Sequence, residues 1–402
     1  MSEWKKVKLE DCIEIKHGYA FKGEHIINKD NGKVLVTPGN FKIGGGFQES
    51  KCKFYNGEIP SDYILHPMDL IVTMTDLSKN IDTLGYSAYV PQDKNRIYLH
   101  NQRIGLVIIK NNICTKSFLY WLLRTHDYQR SIAGSSTGST VHHTSPKKIY
   151  EYQFSCPNKD TQIKIADILN KYELLISNYQ RQIKLLEEAA QRLYKEWFVD
   201  LHFPGYENTK IVDGVPEGWR RDAVSSLGDY INGFAFKPSD WQDHGLPIIK
   251  IKELNEGVTK DTPRNNGERV PTKYLIDSGD LLFSWSATLK VEIWSGGKGW
   301  LNQHLFKVVP NQNVDKEFLL QGLNNAIKEF ENLTTGSTMK HIQRNKLDQV
   351  YIMVPTKNIF EEYSKVAHPL RYSILNISHQ LRLLTEARDR LLPKLMSGEI
   401  EV

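Results

Sequence analysis

Cysteine is scarce in this 402-residue chain, and what there is stands far apart: Cys12, Cys52, Cys114 and Cys156 lie 40, 62 and 42 positions from one another. That spacing offers no CxxC metal pair and no dense disulfide framework, so reduced thiols are expected. Long apolar runs are missing too. The best, Ile104–Ile109, has six residues, far below the ~18 that read as a membrane helix. The start, Met1-Ser2-Glu3-Trp4-Lys5-Lys6, has neither the apolar stretch nor the cleavage site of a secretory signal, and a cytoplasmic setting is expected. Charge of one sign does not dominate: 52 Lys and Arg face 47 Asp and Glu, a net +5 with pI near 8.7. The balance is compatible with a polyanionic partner but well short of a histone-like surface.

What the chain does have is itself, nearly twice. Gly18-Tyr-Ala-Phe-Lys22 returns as Gly233-Phe-Ala-Phe-Lys237, and Trp4 returns as Trp219, both 215 residues on. Asp69-Leu70 pairs with Asp280-Leu281 at an offset of 211, Asn101-Gln102 with Asn302-Gln303 at 201, and Phe118-Leu119 with Phe318-Leu319 at 200. Thr137-Gly-Ser-Thr140 meets Thr335-Gly-Ser-Thr338 at 198. Matches that keep their order while the offset shrinks are the mark of a duplicated unit with small deletions, and a repeat of this length sets the architecture.

Each copy opens on a mixed segment with short strand-like runs (Val34–Val36, Leu70–Val72, Ile104–Ile109; Pro247–Ile251, Asp280–Phe283, Leu305–Val309) punctuated by Gly, Pro and Asn. Helices are expected at Lys116–Arg124 and Lys316–Phe330. Each copy closes on a long helix. Positions spaced alternately four and three apart are all apolar or aromatic in the first: Ile165, Leu169, Tyr172, Ile176, Tyr179, Ile183, Leu186, Ala190, Leu193, Trp197. Adding 198 gives Tyr363, Ala367, Leu370, Ile374, Ile377, Leu381, Leu384, Arg388, Leu391 and Leu395, where Arg388 alone breaks the stripe. Such spacing is a coiled-coil signature. Asp160 is the expected N-cap of the first helix, a box of Asn358 with Glu361 that of the second, and Pro369 predicts a kink or break. A helix of about 39 residues, ~58 Å long, outreaches a globule of about 150 residues, so its natural partner is the other copy.

The fold class expected is therefore α+β (α/β-like): globules at 1–158 and 204–357, a first long helix and connector at 159–203, and a second long helix at 358–402. Chain order globule, helix, globule, helix requires the helices to pair antiparallel, giving a dumbbell with an approximate two-fold axis. Two inverted globules at a fixed separation match the local two-fold symmetry of duplex DNA.

Catalytic motifs are mostly absent. The chain contains no NPPY or DPPY tetrapeptide, no strand-terminal glycine-rich loop for S-adenosylmethionine, and no GxxxxGK[ST] phosphate loop. Gly44–Gly46 reads as a turn, and Gly134–Thr140 lacks the lysine a phosphate loop needs. Glu14-Ile15-Lys16 with Asp11 has the look of a nuclease E-x-K, but a two-metal site needs a carboxylate cluster, and the second copy offers at best Asp229, Ile231 and Asn232. His142-His143 has no spaced co-ligands. No metal and no catalytic residue is expected. The polar landmarks suit DNA better. Phosphate-contacting candidates are Lys22, Thr75, Lys79, Thr137, Ser139, Lys147 and Lys148 in the first copy, with Lys237, Ser286, Lys290, Thr335, Ser337, Lys340 and Arg344 in the second. Base-edge candidates are Asn101, Gln102 and Arg103, with Asn302, Gln303 and His304.

Tyr194-Lys-Glu-Trp-Phe-Val-Asp200, leading through Phe203-Pro-Gly-Tyr206 to Val215-Pro-Glu-Gly-Trp219, resembles the specificity subunit of type I restriction–modification systems. So do Gly279-Asp-Leu-Leu-Phe-Ser-Trp-Ser286 with Gly299-Trp-Leu-Asn-Gln-His304, and the ending Leu391-Leu-Pro-Lys-Leu-Met-Ser-Gly398. The resemblance covers the whole chain. It implies two target-recognition domains, each reading half of a split site in double-stranded DNA, held apart by the two helices as a ruler. It further implies docking of two methyltransferase subunits and two restriction/translocase subunits, no membrane, and no cofactor on this chain. S-adenosylmethionine, ATP and Mg would sit on the partners, which supply adenine N6-methylation and translocation. A nuclease or fused methyltransferase is the rival of the enzyme class; a stand-alone DNA-binding regulator or scaffold is a third reading.

Overall fold

The structure, a computed structural model, describes residues 4–78, 80–333 and 342–402. The chain divides into two units, Met1–Leu175 with Leu384–Val402, and Ile176–Leu383. Each long helix is thus shared between both.

In unit 1 a four-stranded antiparallel sheet runs in the order Ile13–His17, Ile104–Ile109, Leu70–Thr73, Ser87–Tyr89. A second sheet has the order Ile26–Ile27, Lys53–Tyr55, Lys33–Val36, Ile97–His100, Ile64–Leu65, with one parallel pairing, Lys33–Val36 against Ile97–His100. Unit 2 repeats the plan. Its antiparallel sheet is Gly228–Asn232, Leu305–Pro310, Leu281–Ser284, Lys290–Ile293, and its second sheet again has one parallel pair, Leu246–Ile249 with Gly299–Leu301. A two-stranded ribbon closes each globule next to its long helix: Lys5–Lys8 with Gln153–Cys156, and Arg220–Ala223 with Tyr351–Val354. The expected helices form at Lys116–Leu122 and Lys316–Asn325, the latter followed by Ile327–Asn332. Thr115 and Asp315 cap them from equivalent positions, each accepting from the amide three residues on.

The long helices span Lys159–Tyr194, extended by a π-turn at Lys195–Val199, and Lys357–Ser397. All the stripe residues expected to pack are buried or half-buried: Ile165, Leu169, Tyr172, Ile176, Tyr179, Ile183, Leu186 and Leu193, with Leu370, Ile374, Ile377, Leu381, Leu384 and Leu391. Within unit 1 the two helices pair antiparallel. Ile165 and Leu169 share a core with Leu392, Leu395 and Met396, while Glu173 meets Arg388. Unit 2 has the same sense, with Trp197 and Phe198 stacked edge-on against Tyr363 and Glu187 in the field of Arg371.

Three expectations about these helices fail. Asn158, not Asp160, caps the first, its Oδ1 accepting from the Thr161 amide at 2.9 Å; Asp160 already lies inside the helix. Asn358 is likewise inside the second, which begins at Lys357, so the box it would form with Glu361 has no cap to make. Pro369 does not interrupt it either, because Lys357–Ser397 is helical throughout. Arg388 is accommodated by a partner: its Nη1 lies 2.9 Å from Glu173 Oε2, which is 3.4 Å from Arg124 Nη1. Unit 2 makes the matching clamp with the charges reversed. Arg371, which stands 198 positions after Glu173, grips Glu317 through Nε at 2.6 Å and Nη2 at 3.1 Å.

Two tests of stability follow from these contacts. Glu173→Ala removes the carboxylate shared by two guanidiniums: Arg124, with 3% of its side chain exposed, loses its ion-pair partner, and Arg388 keeps Asp389 at 2.7 Å. The loss should be about 1–2 kcal/mol in urea denaturation followed by tryptophan fluorescence, below the ~3–5 kcal/mol for a fully buried pair because Glu173 is 31% exposed and Arg388 keeps Asp389. His100 is 1% exposed and bonded to the Ile104 carbonyl at 2.9 Å; burial pushes its pKa down to about 4. The fold therefore holds the neutral ring, and the stability it supports is complete above pH 6.5 and falls as pH drops from 6.5 toward 4. His100→Leu, copying Leu301 of unit 2, should flatten that part of the denaturation–pH profile.

Candidate nucleic-acid interface

The duplicated landmarks meet in space. Gly18 carries no side chain because a Cβ there would lie 2.2 Å from the Asn101 carbonyl oxygen; a Cβ on Gly233 would lie equally close to that of Asn302. This approach lets a strap, residues 18–22 in unit 1 and 233–237 in unit 2, pair with a turn, residues 100–104 and 301–305. The Tyr19 amide donates to His100 O at 2.8 Å and the Gln102 amide to Tyr19 O at 3.0 Å; Phe234 to Leu301 O and Gln303 to Phe234 O repeat those distances. Aromatic rings pin each strap from below: Tyr19 with Phe21 and Tyr63, and Phe234 with Phe236 and Tyr274.

Asn101 and Asn302, expected to read bases, do something else. Both are buried, and the Oδ1 of each accepts from the amide two residues on, Arg103 at 3.0 Å and His304 at 3.4 Å. They fold the turn that presents their neighbours. Gln102 and Arg103 stand exposed; Gln303 and His304 are half-buried, and Gln303 accepts from the Asn302 amide.

In unit 1 further backbone bonds join this turn to the strand end at 73–76 and the loop at 137–144. Met74 N donates to Arg103 O and Thr144 N to Met74 O, while Thr137 and His143 exchange both their bonds. Thr75 is buried against His143 Nδ1 at 3.1 Å and presents no side chain outward. Asp76, also buried, gathers the amides of Ser78, Thr83 and Leu84 and so shapes the loop beyond it. Burial works against ionisation of that carboxyl, but the Ser78 and Thr83 donors outweigh it and hold its pKa below the ordinary range. Thr137 and Ser139 are exposed beside this junction, as is Lys22 at the end of the strap. One face therefore carries Tyr19, Lys22, Gln102, Arg103, Thr137 and Ser139. Lys147 and Lys148 are exposed on the helix Pro146–Tyr150 that follows, Lys148 at 3.7 Å from Glu151.

Unit 2 has the same frame with different furniture. Ile342 N donates to Trp285 O, as Thr144 does to Met74 O. Ser284 Oγ donates to Ser286 O at 3.2 Å, as Thr73 Oγ1 does to Thr75 O at 2.8 Å. Ser286 is consequently buried and faces inward. Lys290 is occupied as well, its Nζ donating to Leu254 O and paired with Glu292. Lys237 and Arg344 are exposed. Lys79, Thr335, Ser337 and Lys340 lie outside the described residues. Trp285 is not among the candidate residues, although it lies in Phe283–Thr288, the stretch that differs most from its counterpart Val72–Leu77; its ring lies 5.9 Å from that of His304 and its Nε1 donates to Asn232 Oδ1 at 3.3 Å. An aromatic in that stretch was the available signal. Nor is Trp241 among the candidates, 47% exposed with Lys250 Nζ 4.4 Å above its ring.

Among the described residues, no group of three or more His, Cys, Asp and Glu side chains could hold a metal ion, and no helix is long and apolar enough to cross a membrane. Lys16 of the E-x-K triplet turns to the Asp62 carbonyl and the Tyr63 ring.

Known proteins are similar to this chain. The Methanocaldococcus jannaschii type I restriction enzyme MjaIX specificity subunit is 26% identical, over 78% of this chain and 75% of its own length. The Haemophilus influenzae HindI specificity subunit is also 26% identical, over 75% of this chain and 81% of its own. A crystal structure of the type I restriction-modification S subunit from M. genitalium superposes with a TM-score of 0.57 at 13% identity, covering 98% of this chain and 96% of that one, and so shares the fold. The type I restriction modification DNA specificity domain matches twice, at residues 1–188 and 216–381. With the two matches falling on the two copies of one globule, the chain belongs to the type I restriction–modification DNA specificity family.

Proposed function

We propose that this chain is the non-catalytic reading subunit of a type I restriction–modification complex, in which each unit reads one half of a bipartite, asymmetric site in double-stranded DNA. One observation carries the reading. The strap and turn are built alike in both units, while the side chains they present differ: His17 and Arg103 in one stand where Asn232 and His304 stand in the other. A common scaffold with exchanged tips is what two related but unequal half-sites require. Arg103 has the fork that pairs with a guanine edge. Lys22, Thr137, Ser139, Lys147 and Lys148, and Lys237 with Arg344, suit phosphate oxygens and set register.

In this reading the long helices hold the half-sites apart across unread base pairs. Two methyltransferase subunits bring S-adenosylmethionine and the adenine N6 chemistry; two restriction/translocase subunits bring ATP and Mg; the complex works in the cytoplasm. The family resemblance supports these assignments, and so does the lack of methyltransferase and phosphate-loop motifs in the chain.

Methylome sequencing of a host carrying the assembled system tests the reading. Arg103→Ala should relax one or two positions in a single half-site, with about tenfold or greater loss of discrimination there. His304→Ala should affect the other half-site alone; relaxation of both by either variant would count against separate reading. Deleting four residues within Ile176–Ile183 should shorten the unread spacer and leave both half-sites intact. An unchanged spacer would remove the ruler.

A further inference from the structure

Three of the four cysteines, widely spaced in sequence, converge in unit 1. Cys12 Sγ lies 3.5 Å from Cys114 Sγ, which lies 3.6 Å from Cys156 Sγ. The three belong to three separate elements: the end of the short helix Leu9–Cys12, the residue before the Thr115 cap, and the last residue of the strand Gln153–Cys156. All are buried in the core beneath the root of the first long helix, with exposures of 0%, 3% and 6%. Gln162, fully buried in that helix's first turns, donates through Nε2 to Cys156 Sγ at 3.3 Å and accepts from the Thr115 amide at 2.8 Å.

The repeat supplies an internal control. Cys12, Cys114 and Cys156 correspond to Leu227, Val314 and Val354 at the local offsets of 215, 200 and 198. The contacts confirm the alignment: Lys110 N donates to Cys12 O as Asn311 N does to Leu227 O. Phe360 replaces Gln162, and unit 2 contains no cysteine at all. Aliphatic side chains therefore fill this place adequately. Packing does not demand sulfur, and three thiols in mutual contact need another account.

We propose that Cys12, Cys114 and Cys156 form a thiol–disulfide site, oxidisable by a hydroperoxide, which unit 1 carries and unit 2 lacks. Cys156 is the entry point, being the most exposed of the three and the one within 3.3 Å of the Gln162 Nε2 donor, which it shares with the Ile113 and Pro157 carbonyls. Its sulfur takes an oxygen from hydrogen peroxide to give a sulfenic acid and one water. Cys114 then attacks that sulfur, and the sulfenic oxygen leaves as a second water with the thiol proton. Two thiols and one peroxide thus become one disulfide and two waters; the sulfurs lose two electrons and the peroxide gains them. Each sulfur pair has to close by about 1.5 Å to reach disulfide length. Cys12, in contact with Cys114 from the other side, can afterwards attack it and release Cys156, shifting the bond without further oxidation. The Cys114–Cys156 bond joins the start of the helix Lys116–Leu122 covalently to the start of the first long helix.

The experiment treats the folded full chain with hydrogen peroxide, then denatures, alkylates and weighs it. Two fewer alkylated thiols are expected, returning on treatment with dithiothreitol, with digestion placing the bond between Cys114 and either Cys12 or Cys156. Cys114→Val, which copies unit 2, removes the attacking thiol, so the treated variant should form no disulfide and lose at most one thiol, that of Cys156 held as the sulfenic acid. Full alkylation of the treated native chain would overturn the proposal. So would a loss confined to Cys52, or an equal loss from the Cys114→Val variant.

Discussion

A carboxylate held between two guanidiniums organises unit 1. Glu173 projects from the first long helix, Arg388 from the second and Arg124 from the globule, so one half-buried charge centre fixes three pieces of chain against each other. An apolar stripe alone sets which faces meet but tolerates sliding by a heptad. A charge that must find its partner does not, and burying it unpaired is costly. Unit 2 solves the same problem at the same repeat position with the signs exchanged, through Arg371 and Glu317. The reversal discourages either helix from settling on the other's globule, since Glu173 placed against Glu317, or Arg371 against Arg124, would bring like charges together. Ala190, which corresponds to Arg388, is fully buried, so the second clamp does without the third member.

Much of this was legible in the sequence because it is periodic. The four-three spacing found the helix seam, and the drifting offset found the duplication; both signals are summed over many residues, so single exceptions such as Arg388 did not hide them. What escaped was set by individual hydrogen bonds. Asn101 and Asn302 have the right chemistry for base edges, yet the turn needs their Oδ1, and nothing in composition distinguishes an asparagine that caps a turn from one that reads a base. Thr75 and Ser286 were hidden by the opposite route, since small hydroxyl residues are equally at home on a surface or facing a neighbouring strand. The cap at Asn158 was missed by two positions, and the cysteine cluster could not be seen because its members come from distant segments that only the closed fold brings together.

The two units also show how a recognition protein can vary without losing its frame. Residues that build the strap and turn, Gly18 and Gly233 above all, are fixed by an approach too close for any side chain. Residues that sit on the frame are free to change. His17 and Asn232 occupy one place and Arg103 and His304 another, on a backbone whose hydrogen bonds are nearly superimposable in length. The atoms that hold the frame together and the side chains that differ between the units thus lie apart within the same short segments.

The division of the chain has a bearing on its birth at the ribosome. Unit 2 is one uninterrupted stretch, Ile176–Leu383, whereas the core of unit 1 needs Leu392, Leu395 and Met396, made some two hundred residues after the rest of it. Domains ordinarily mature in the order of synthesis. Here the later-starting unit can close first, and the earlier one waits with its Ile165–Leu169 face uncovered until the final helical turns emerge.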